Sequence, residues 1–217
     1  MIYTTKNSKL NFEVIKPVNS ILKISEVMMK VGSKFSIQEG KKLDYSDVVK
    51  SKYVYSFECG IFTAIHQESN IYLCQDSAPC LYGVAEIFHP VGSYSLIADC
   101  LCTGWRVKTD VMGDVLTKYD LKHEVCEILS YRLYQILYRD SQLVGVNSYV
   151  MVCNLLHNLM NYPSEIRCKI NIQKFICQHT LLSRSNVLNI LSGLKKGGYI
   201  NTLHGTLVNI IHLPDSF

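Results

Sequence analysis

Residues 171–211, NIQKFICQHTLLSRSNVLNILSGLKKGGYINTLHGTLVNII, decide the fold of this chain. Apolar residues recur at helical spacing over Ile172 to Thr180 and again over Arg184 to Lys195, which predicts two short helices. Ser183 stands where the second helix needs an N-cap. His204-Gly205 is a hairpin turn signal between two β-rich runs. The stretch therefore predicts helix, turn, helix and a small β-hairpin.

The second helix is predicted to be amphipathic. Its proposed buried face consists of Val187, Leu188, Ile190, Leu191 and Leu194. The turn before it, Leu181-Leu182, is apolar and is expected to pack inward. Gly197-Gly198 predicts a left-handed C-terminal cap. Strands are expected at Tyr199-Ile200 and over Thr206 to Ile211.

This order of elements is typical of a winged helix-turn-helix, whose second helix enters the major groove of DNA. Arginine pairs with guanine and asparagine with adenine, so the exposed polar residues are expected to read bases. The candidate base readers are Arg184, Ser185, Asn186 and Asn189. The candidate phosphate contacts are Ser183, Lys174, Lys195, Lys196 and His204. Helix-turn-helix units also occur in proteins that bind no DNA, so that alternative stays open.

The segment SRSNVLNILSGLKKGGYI (183–200) resembles the recognition helix and wing start of CRP/FNR-type bacterial regulators. The Ser-Arg opening of that helix carries the main base-reading arginine in the family. The resemblance therefore implies that Arg184 is the leading base contact, with Ser183, Ser185 and Asn186 beside it.

Charge is distributed unevenly along the 217 residues. The net charge is +4, and residues 145–217 carry six Lys/Arg against two acidic residues, which accounts for the whole excess. This segment holds the predicted DNA reader, where phosphate attraction would act. Such an imbalance can also arise by chance, so it supports DNA binding without establishing it.

With 48% hydrophobic and 18% charged residues, the chain is expected to be globular and cytoplasmic, without a signal peptide or membrane span. Nine cysteines without a CxxC spacing argue against a disulfide framework or a metal site. Most are interpreted as small buried hydrophobes. A redox-sensing thiol is the less favoured alternative, with Cys100, Cys102, Cys80 and Cys74 as candidates.

The N-terminal half carries a predicted helix over Ile21 to Val31 and then many short strands, which indicate an antiparallel β-roll. The strands are predicted at Tyr53–Phe57, Gly60–Ile65, Ile71–Cys74, Tyr94–Ala98 and Cys102–Val107. A roll followed by a long helix and a winged helix is the second resemblance to CRP/FNR regulators. In that family, rolls that bind cyclic nucleotides hold the phosphate with an Arg-Ser or Arg-Thr pair.

The corresponding region here runs from Leu81 to Phe88 and onward from Tyr94, and it lacks that pair. Gly83 and Glu86 are present, but they do not have the spacing of the Gly-Glu-Leu-type turn that holds the ribose in that family. Arginine is the side chain best suited to bind a phosphate, because its planar group pairs bidentately. We therefore expect that no cyclic nucleotide binds. We also expect no other cofactor. The iron–sulfur cysteines of the oxygen-sensing branch are also absent. The roll could serve an unknown small-molecule or protein effector.

A long helix is predicted from Lys118 to Leu143, with Asp120 as its N-cap. Its broad apolar stripe favours a homodimer and leaves open a helix lying on its own domain. The candidate dimerisation residues are Leu121, Val125, Ile128, Leu129, Leu133 and Ile136. Beyond a break at Gly145–Asn147, a helix over Ser148 to Asn161 and a strand at Arg167–Ile170 are expected. The α+β chain thus divides into a roll (1–117), a dimerisation helix (118–144) and a winged helix-turn-helix (145–217).

The segments YSLIADCLCTGWRV (94–107), YRDSQLVGVNSY (138–149) and 182–200 resemble, more narrowly, the enterobacterial regulators named for inhibition of hydrogen peroxide resistance. This likeness covers the chain from about Gly83 onward. It implies a role in transcription connected to oxidative stress or virulence. A non-DNA interaction module that modulates another regulator is the alternative. No nucleophile–base motif supports an enzyme.

Overall fold

The computed structural model describes residues 15–43, 53–89, 92 and 94–214. The chain divides into two compact units, residues 15–136 and 137–214 of this range. Among the helices of the described chain, none is long and apolar enough to cross a membrane. The sequence-based division at 117/118 and 144/145 stays a prediction.

The N-terminal unit begins with a helix and continues as strands. The elements are α1 (Val18–Val31), β1 (Ser33–Ile37), β2 (Lys42–Leu43), β3 (Tyr53–Cys59), β4 (Ile61–His66), β5 (Tyr72–Ser77), β6 (Cys80–Tyr82), β7 (Tyr94–Ala98), β8 (Cys102–Lys108) and α2 (Thr109–Lys118). Then α3 (Lys122–Leu143) starts in this unit and ends in the next. The strands form two antiparallel four-stranded sheets, ordered β1-β8-β3-β6 and β2-β7-β4-β5. This is the predicted β-roll.

Strand β3 shows why these sequences form a roll. Successive side chains of a strand point to opposite faces. Tyr55 and Phe57 join a core between the two sheets, together with residues of β4, β6, β7 and β8. Val54 points to the other face, where it packs with α1, α2 and the start of α3. A hydrogen bond of 2.7 Å between the Ser56 and Ser25 hydroxyls adds a polar contact between β3 and α1.

The long helix differs from its prediction at its start. A separate helix, α2, precedes it and was not predicted, and a turn at 119–121 joins the two. Asp120 is not an N-cap, because its φ is 51°, in the left-handed region. An N-cap residue has extended backbone, whereas aspartate tolerates the left-handed conformation that a tight turn requires.

The C-terminal unit is built from helices and one hairpin. Its elements are α4 (Ser148–Met160), α5 (Ser164–Arg167), α6 (Ile172–His179), α7 (Arg184–Lys196), β9 (Ile200–Leu203) and β10 (Thr206–Ile210). One apolar core contains residues from α4, α6, α7 and both strands. The two helices and β10 agree with the prediction to within one residue, whereas β9 ends three residues later than predicted.

The strand predicted at 167–170 was wrong. The backbone N–H groups of Arg167, Lys169 and Ile170 donate to carbonyls three or four residues earlier, which makes a short helix followed by a turn. The side chain of Arg167 makes a longer-range contact. Its guanidinium donates hydrogen bonds to the carbonyl oxygens of Met160, Tyr162, Leu207 and Val208 at 3.1–3.3 Å. The arginine side chain thereby ties the end of α4 to β10. Nothing in the local apolar pattern signals such a contact.

Two predictions about apolar residues were wrong. Leu181 in the turn is 83% exposed, although Leu182 packs against the core. Leu188 in α7 is 51% exposed, whereas Val187 is fully buried. A helix turns by about 100° per residue, so the Leu188 side chain is rotated away from the direction in which Val187 enters the core. Leu181 lies in the turn, outside both helices.

Two leucines of α7 allow a matched stability test. We expect Leu194→Ala to lower the free energy of unfolding by about 2–5 kcal/mol, because Leu194 is completely buried. Leu188→Ala should change it by less than about 0.5 kcal/mol, because an exposed side chain leaves no cavity. Urea unfolding of both variants measures the difference. Equal losses would show that Leu188 belongs to the core.

His179, the last residue of α6, should make stability pH-dependent. Burial lowers the pKa of its imidazole below the ordinary 6.5, and the Phe175 carbonyl opposes this shift. The unfolded chain therefore binds the proton more readily, and stability is lost as pH falls through about 6.5. We expect His179→Gln to flatten urea-derived unfolding free energies between pH 7 and 5, while the same substitution at exposed His204 keeps the wild-type slope. An unchanged slope in His179→Gln would contradict this assignment.

Candidate nucleic-acid interface

The first turn of α7 is held by its N-cap. Ser183 has extended backbone (φ −67°, ψ 149°), and its hydroxyl oxygen accepts the Asn186 backbone N–H at 3.2 Å. The hydroxyls of Ser183 and Ser185 lie 3.1 Å apart. Since the Ser183 oxygen is engaged by the cap, it would approach a phosphate only as a hydrogen donor.

Burial of one side of α7 leaves a continuous outer face. Val187, Leu191 and Leu194 lie in the core at helical spacing. The exposed residues of the helix, which we call the reading face, are Arg184, Ser185, Leu188, Asn189, Ser192, Lys195 and Lys196. They recur at intervals of three or four, so the face runs the whole length of α7.

The predicted base-reading residues differ in their solvent exposure. Arg184, Ser185 and Asn189 are exposed, whereas Asn186 is half-buried and its backbone is part of the cap. Leu188 and Ser192 complete the face and were not predicted as site residues. The signal that could have identified them is their spacing of four and eight residues from Arg184.

The predicted phosphate contacts are exposed but lie on three different elements. Lys195 and Lys196 end α7, where cations also suit the helix dipole. Lys174 lies in the first turn of α6, which is capped by the Asn171 side chain accepting the Lys174 backbone N–H at 3.0 Å. His204 is at the tip of the hairpin.

The hairpin turn is attached to α6. His204 and Gly205 have φ values of 48° and 81°, as a two-residue turn between twisted strands requires. The Gly205 carbonyl accepts the Ile172 backbone N–H at 2.9 Å. A Cβ at position 205 would lie 2.9 Å from the Asn171 amide nitrogen. Glycine is therefore needed both for the conformation and for the close approach.

Aromatic side chains fill the space between the two sheets of the roll. Phe57 stacks on Phe62 with ring centroids 4.4 Å apart, and Tyr82 meets Phe62 edge-on at 5.0 Å. Phe35 packs edge-on against Tyr55 at 5.2 Å. Edge-on and offset contacts of this kind are favourable beyond the apolar area that they bury.

Arg132 of α3 lies against this aromatic cluster but is already paired. Its guanidinium carbon is 4.2 Å from the Tyr82 ring centre, and Nη1 is 2.7 Å from the Asp76 carboxylate. The other Asp76 oxygen lies 2.7 Å from Lys16 Nζ. Burial alone would lower the pKa of Arg132, but Tyr82 and Asp76 raise it, so the cation stays protonated.

Two of the candidate redox thiols, Cys80 and Cys102, are not activated. Burial raises the pKa of the Cys80 thiol, and burial together with Cys100 raises that of Cys102 to about 11. Both are therefore less ionised at neutral pH than an ordinary thiol, and the thiolate is the reactive form. Cys100 accepts the Ile61 backbone N–H, and Cys74 lies 3.7 Å from the Tyr82 hydroxyl. Within the residues that the structure describes, no cluster of side chains could hold a metal ion.

The predicted dimerisation residues separate into two groups. Leu121, Val125 and Ile128 are buried in the core of the N-terminal unit, and Leu129 packs against that core. Leu133 and Ile136 are 57% and 58% exposed. Only the second group is available to another chain without disturbing the core.

Comparison with known proteins agrees with this architecture. Residues 148–215 match a family described as winged helix-turn-helix DNA binding. The solved structures with a similar fold include the c-di-GMP-responsive global regulator CLP of Xanthomonas campestris, with a TM-score of 0.69, 12% identity, and 89% of this chain and 100% of that one covered. A CRP/FNR-family regulator of Thermus thermophilus gives a TM-score of 0.57 at 13% identity, covering 82% of this chain and 94% of that one.

Relatives similar in sequence carry a single name. The inhibitor of hydrogen peroxide resistance of Escherichia coli K12 is 27% identical over 205 residues, covering 94% of this chain and 99% of the relative. The protein of the same name from Salmonella typhimurium is 25% identical over 203 residues, with 93% and 98% covered. The chain thus has a CRP/FNR-like fold with a winged helix-turn-helix at residues 148–215, and it is similar over nearly its whole length to the inhibitors of hydrogen peroxide resistance.

Proposed function

We propose that this chain is a sequence-specific transcriptional regulator that binds double-stranded DNA as a homodimer in the cytoplasm and catalyses no reaction. The observation that carries the proposal is the reading face of α7, held outward by a buried inner stripe. Arginine, serine and asparagine side chains on one exposed helical face match the hydrogen-bonding edges of bases in the major groove.

Arg184 is the leading base contact, since it is exposed in the first turn and can pair bidentately with guanine. Ser185 and Asn189 lie beside it on the reading face, and half-buried Asn186 is a secondary base contact. The proposed phosphate contacts are Ser183, Lys174, Lys195, Lys196 and His204. The positive excess of residues 145–217 supports this assignment.

The homodimer would form through the outer part of α3. Leu133 and Ile136 are separated by one helical turn, and both are exposed. In a single chain their apolar surface stays in contact with water, whereas a second chain would cover it. A two-fold dimer would place two reading faces on the halves of a palindromic site. The buried residues Leu121, Val125 and Ile128 would instead hold the helix on its own roll.

The roll would not bind a cyclic nucleotide. Aromatic rings pack between the sheets, and the nearby cation Arg132 is already ion-paired with Asp76. A phosphate would have to displace that carboxylate, losing a buried ion pair. Any effector of this roll would therefore have a different chemistry.

The names of the relatives suggest the genes that are controlled. The proteins named for inhibition of hydrogen peroxide resistance cover almost the whole chain, and a regulator of similar fold is named for virulence gene expression. Control of oxidative-stress or virulence genes is the corresponding proposal for this chain.

A second candidate function is an interaction module that modulates another regulator. Residues 201–206 of the hairpin carry no Lys or Arg, and Leu203 within them is 60% exposed. A wing without Lys or Arg and with an exposed leucine suits a protein partner better than a phosphate backbone. Nucleic-acid binding with a flat salt dependence would favour this candidate, since phosphate contacts give a slope of about −0.9 per neutralised charge.

The role of Arg184 is tested by footprinting on duplexes selected by the wild-type protein, without added nucleotide. We expect Arg184→Ala to weaken binding to the selected site about five- to 150-fold, the equivalent of about 1–3 kcal/mol for one base contact. Weak, salt-sensitive binding to unrelated duplexes should survive, and adding cyclic nucleotides should leave the wild-type footprint unchanged.

Two matched variants accompany this experiment. Lys195→Ala should weaken binding to all sequences alike and reduce the salt slope by about one. Lys108→Ala removes an exposed cation from the roll and should change neither. A footprint that persists in Arg184→Ala would contradict the assignment.

The dimer interface is tested by analytical ultracentrifugation. We expect the wild-type chain to sediment with the mass of two chains, and the double variant Leu133→Glu/Ile136→Glu to sediment as one, because two carboxylates would be buried without partners. Val111→Glu, at a 41% exposed apolar site on α2, is the control and should remain dimeric. A dimeric double variant would exclude this interface.

A further inference from the structure

Leu188 is an apolar residue at the centre of the reading face. It is 51% exposed. Arg184 and Ser185 lie one turn before it, and Ser192 lies one turn after it. The neighbours are therefore polar residues that can hydrogen-bond to base edges, whereas leucine can neither donate nor accept.

The core does not require a leucine at this position. Val187, Leu191 and Leu194 already supply the buried stripe of α7, with exposed fractions of 0%, 4% and 0%. An exposed leucine gains stability only when something covers it, because apolar surface in contact with water is unfavourable. The neighbours of Leu188 on the reading face indicate which kind of molecule contacts it.

We propose that Leu188 determines specificity by packing against the 5-methyl group of a thymine in the major groove. This inference rests on the proposed DNA-binding function and deepens it. Thymine is the one base that presents an apolar group at its major-groove edge. Against a guanine, adenine or cytosine edge, leucine would displace water from polar atoms without replacing their hydrogen bonds.

Helix geometry locates this thymine relative to the guanine read by Arg184. Four residues of α7 advance about 6 Å along the axis, and successive base pairs are about 3.4 Å apart. The thymine methyl therefore lies within about two base pairs of that guanine. Arg184 and Leu188 would together recognise a guanine and a nearby thymine in different base pairs of the site.

The test replaces thymines of the selected site one at a time with deoxyuridine, which removes only the methyl group. At one thymine of each half-site, we expect wild-type affinity to fall about fourfold, the equivalent of about 0.8 kcal/mol for one buried methyl-sized group. In Leu188→Ala, thymine and deoxyuridine duplexes should bind alike at that position.

Two controls separate this contact from other effects. Leu181→Ala removes another exposed leucine, outside the reading face, and should keep the fourfold preference for thymine. Arg184→Ala should lose discrimination at the guanine and keep the methyl preference in its remaining specific binding. Restoring the group as 5-methylcytosine at a cytosine-substituted position should recover part of the wild-type affinity.

The outcomes distinguish the two proposals. An Arg184-dependent site at which no deoxyuridine substitution weakens wild-type binding would overturn the role of Leu188 alone and point to a protein partner for this leucine. A methyl effect that persists unchanged in Leu188→Ala would overturn it as well. Failure to select any sequence would overturn both.

Discussion

Burial of Val187, Leu191 and Leu194 determines which side of α7 is outward. Because the helix turns by about 100° per residue, fixing these three positions in the core fixes the rotation of the whole helix. Arg184, Asn189 and Leu188 are exposed for that reason alone. The chemistry of the reading face is thus a consequence of the packing behind it.

Local signals account for the part of the fold that could be predicted. The caps Ser183 and Asn171 act within three residues, and the hairpin turn at 204–205 needs only its own backbone. Strands β2 and β6 span two and three residues and carry no periodicity of their own, so they depend on their neighbours in the sheets. The role of Arg167 was not predicted, because two of its carbonyl partners, Leu207 and Val208, are 40 and 41 residues away in the sequence.

The candidate site was predictable to a similar extent. Residue type and spacing predicted that Arg184 and Asn189 are exposed, because amphipathic helices place polar residues outward. They misplaced Leu188, since an apolar residue beside Val187 is assigned to the core by default. They predicted Ser183 as the N-cap, but they did not show that the Asn186 backbone is the group it caps or that the Asn186 side chain is half-buried. Sequence patterns report the hydropathy of a residue, not which hydrogen bonds its atoms already make.

The β-hairpin is hydrogen-bonded to the rest of the C-terminal unit at two places. Its turn is bonded to the first residue of α6 through Gly205, and β10 is bonded through Arg167 to the end of α4. Hairpin and helix-turn-helix therefore form one rigid template. Such a template cannot adjust its hairpin to a wider or narrower groove independently of α7. If the C-terminal unit binds DNA as proposed, the protein sets the spacing along the duplex between the contacts of the hairpin and those of α7, and DNA of unsuitable shape would have to deform to be bound.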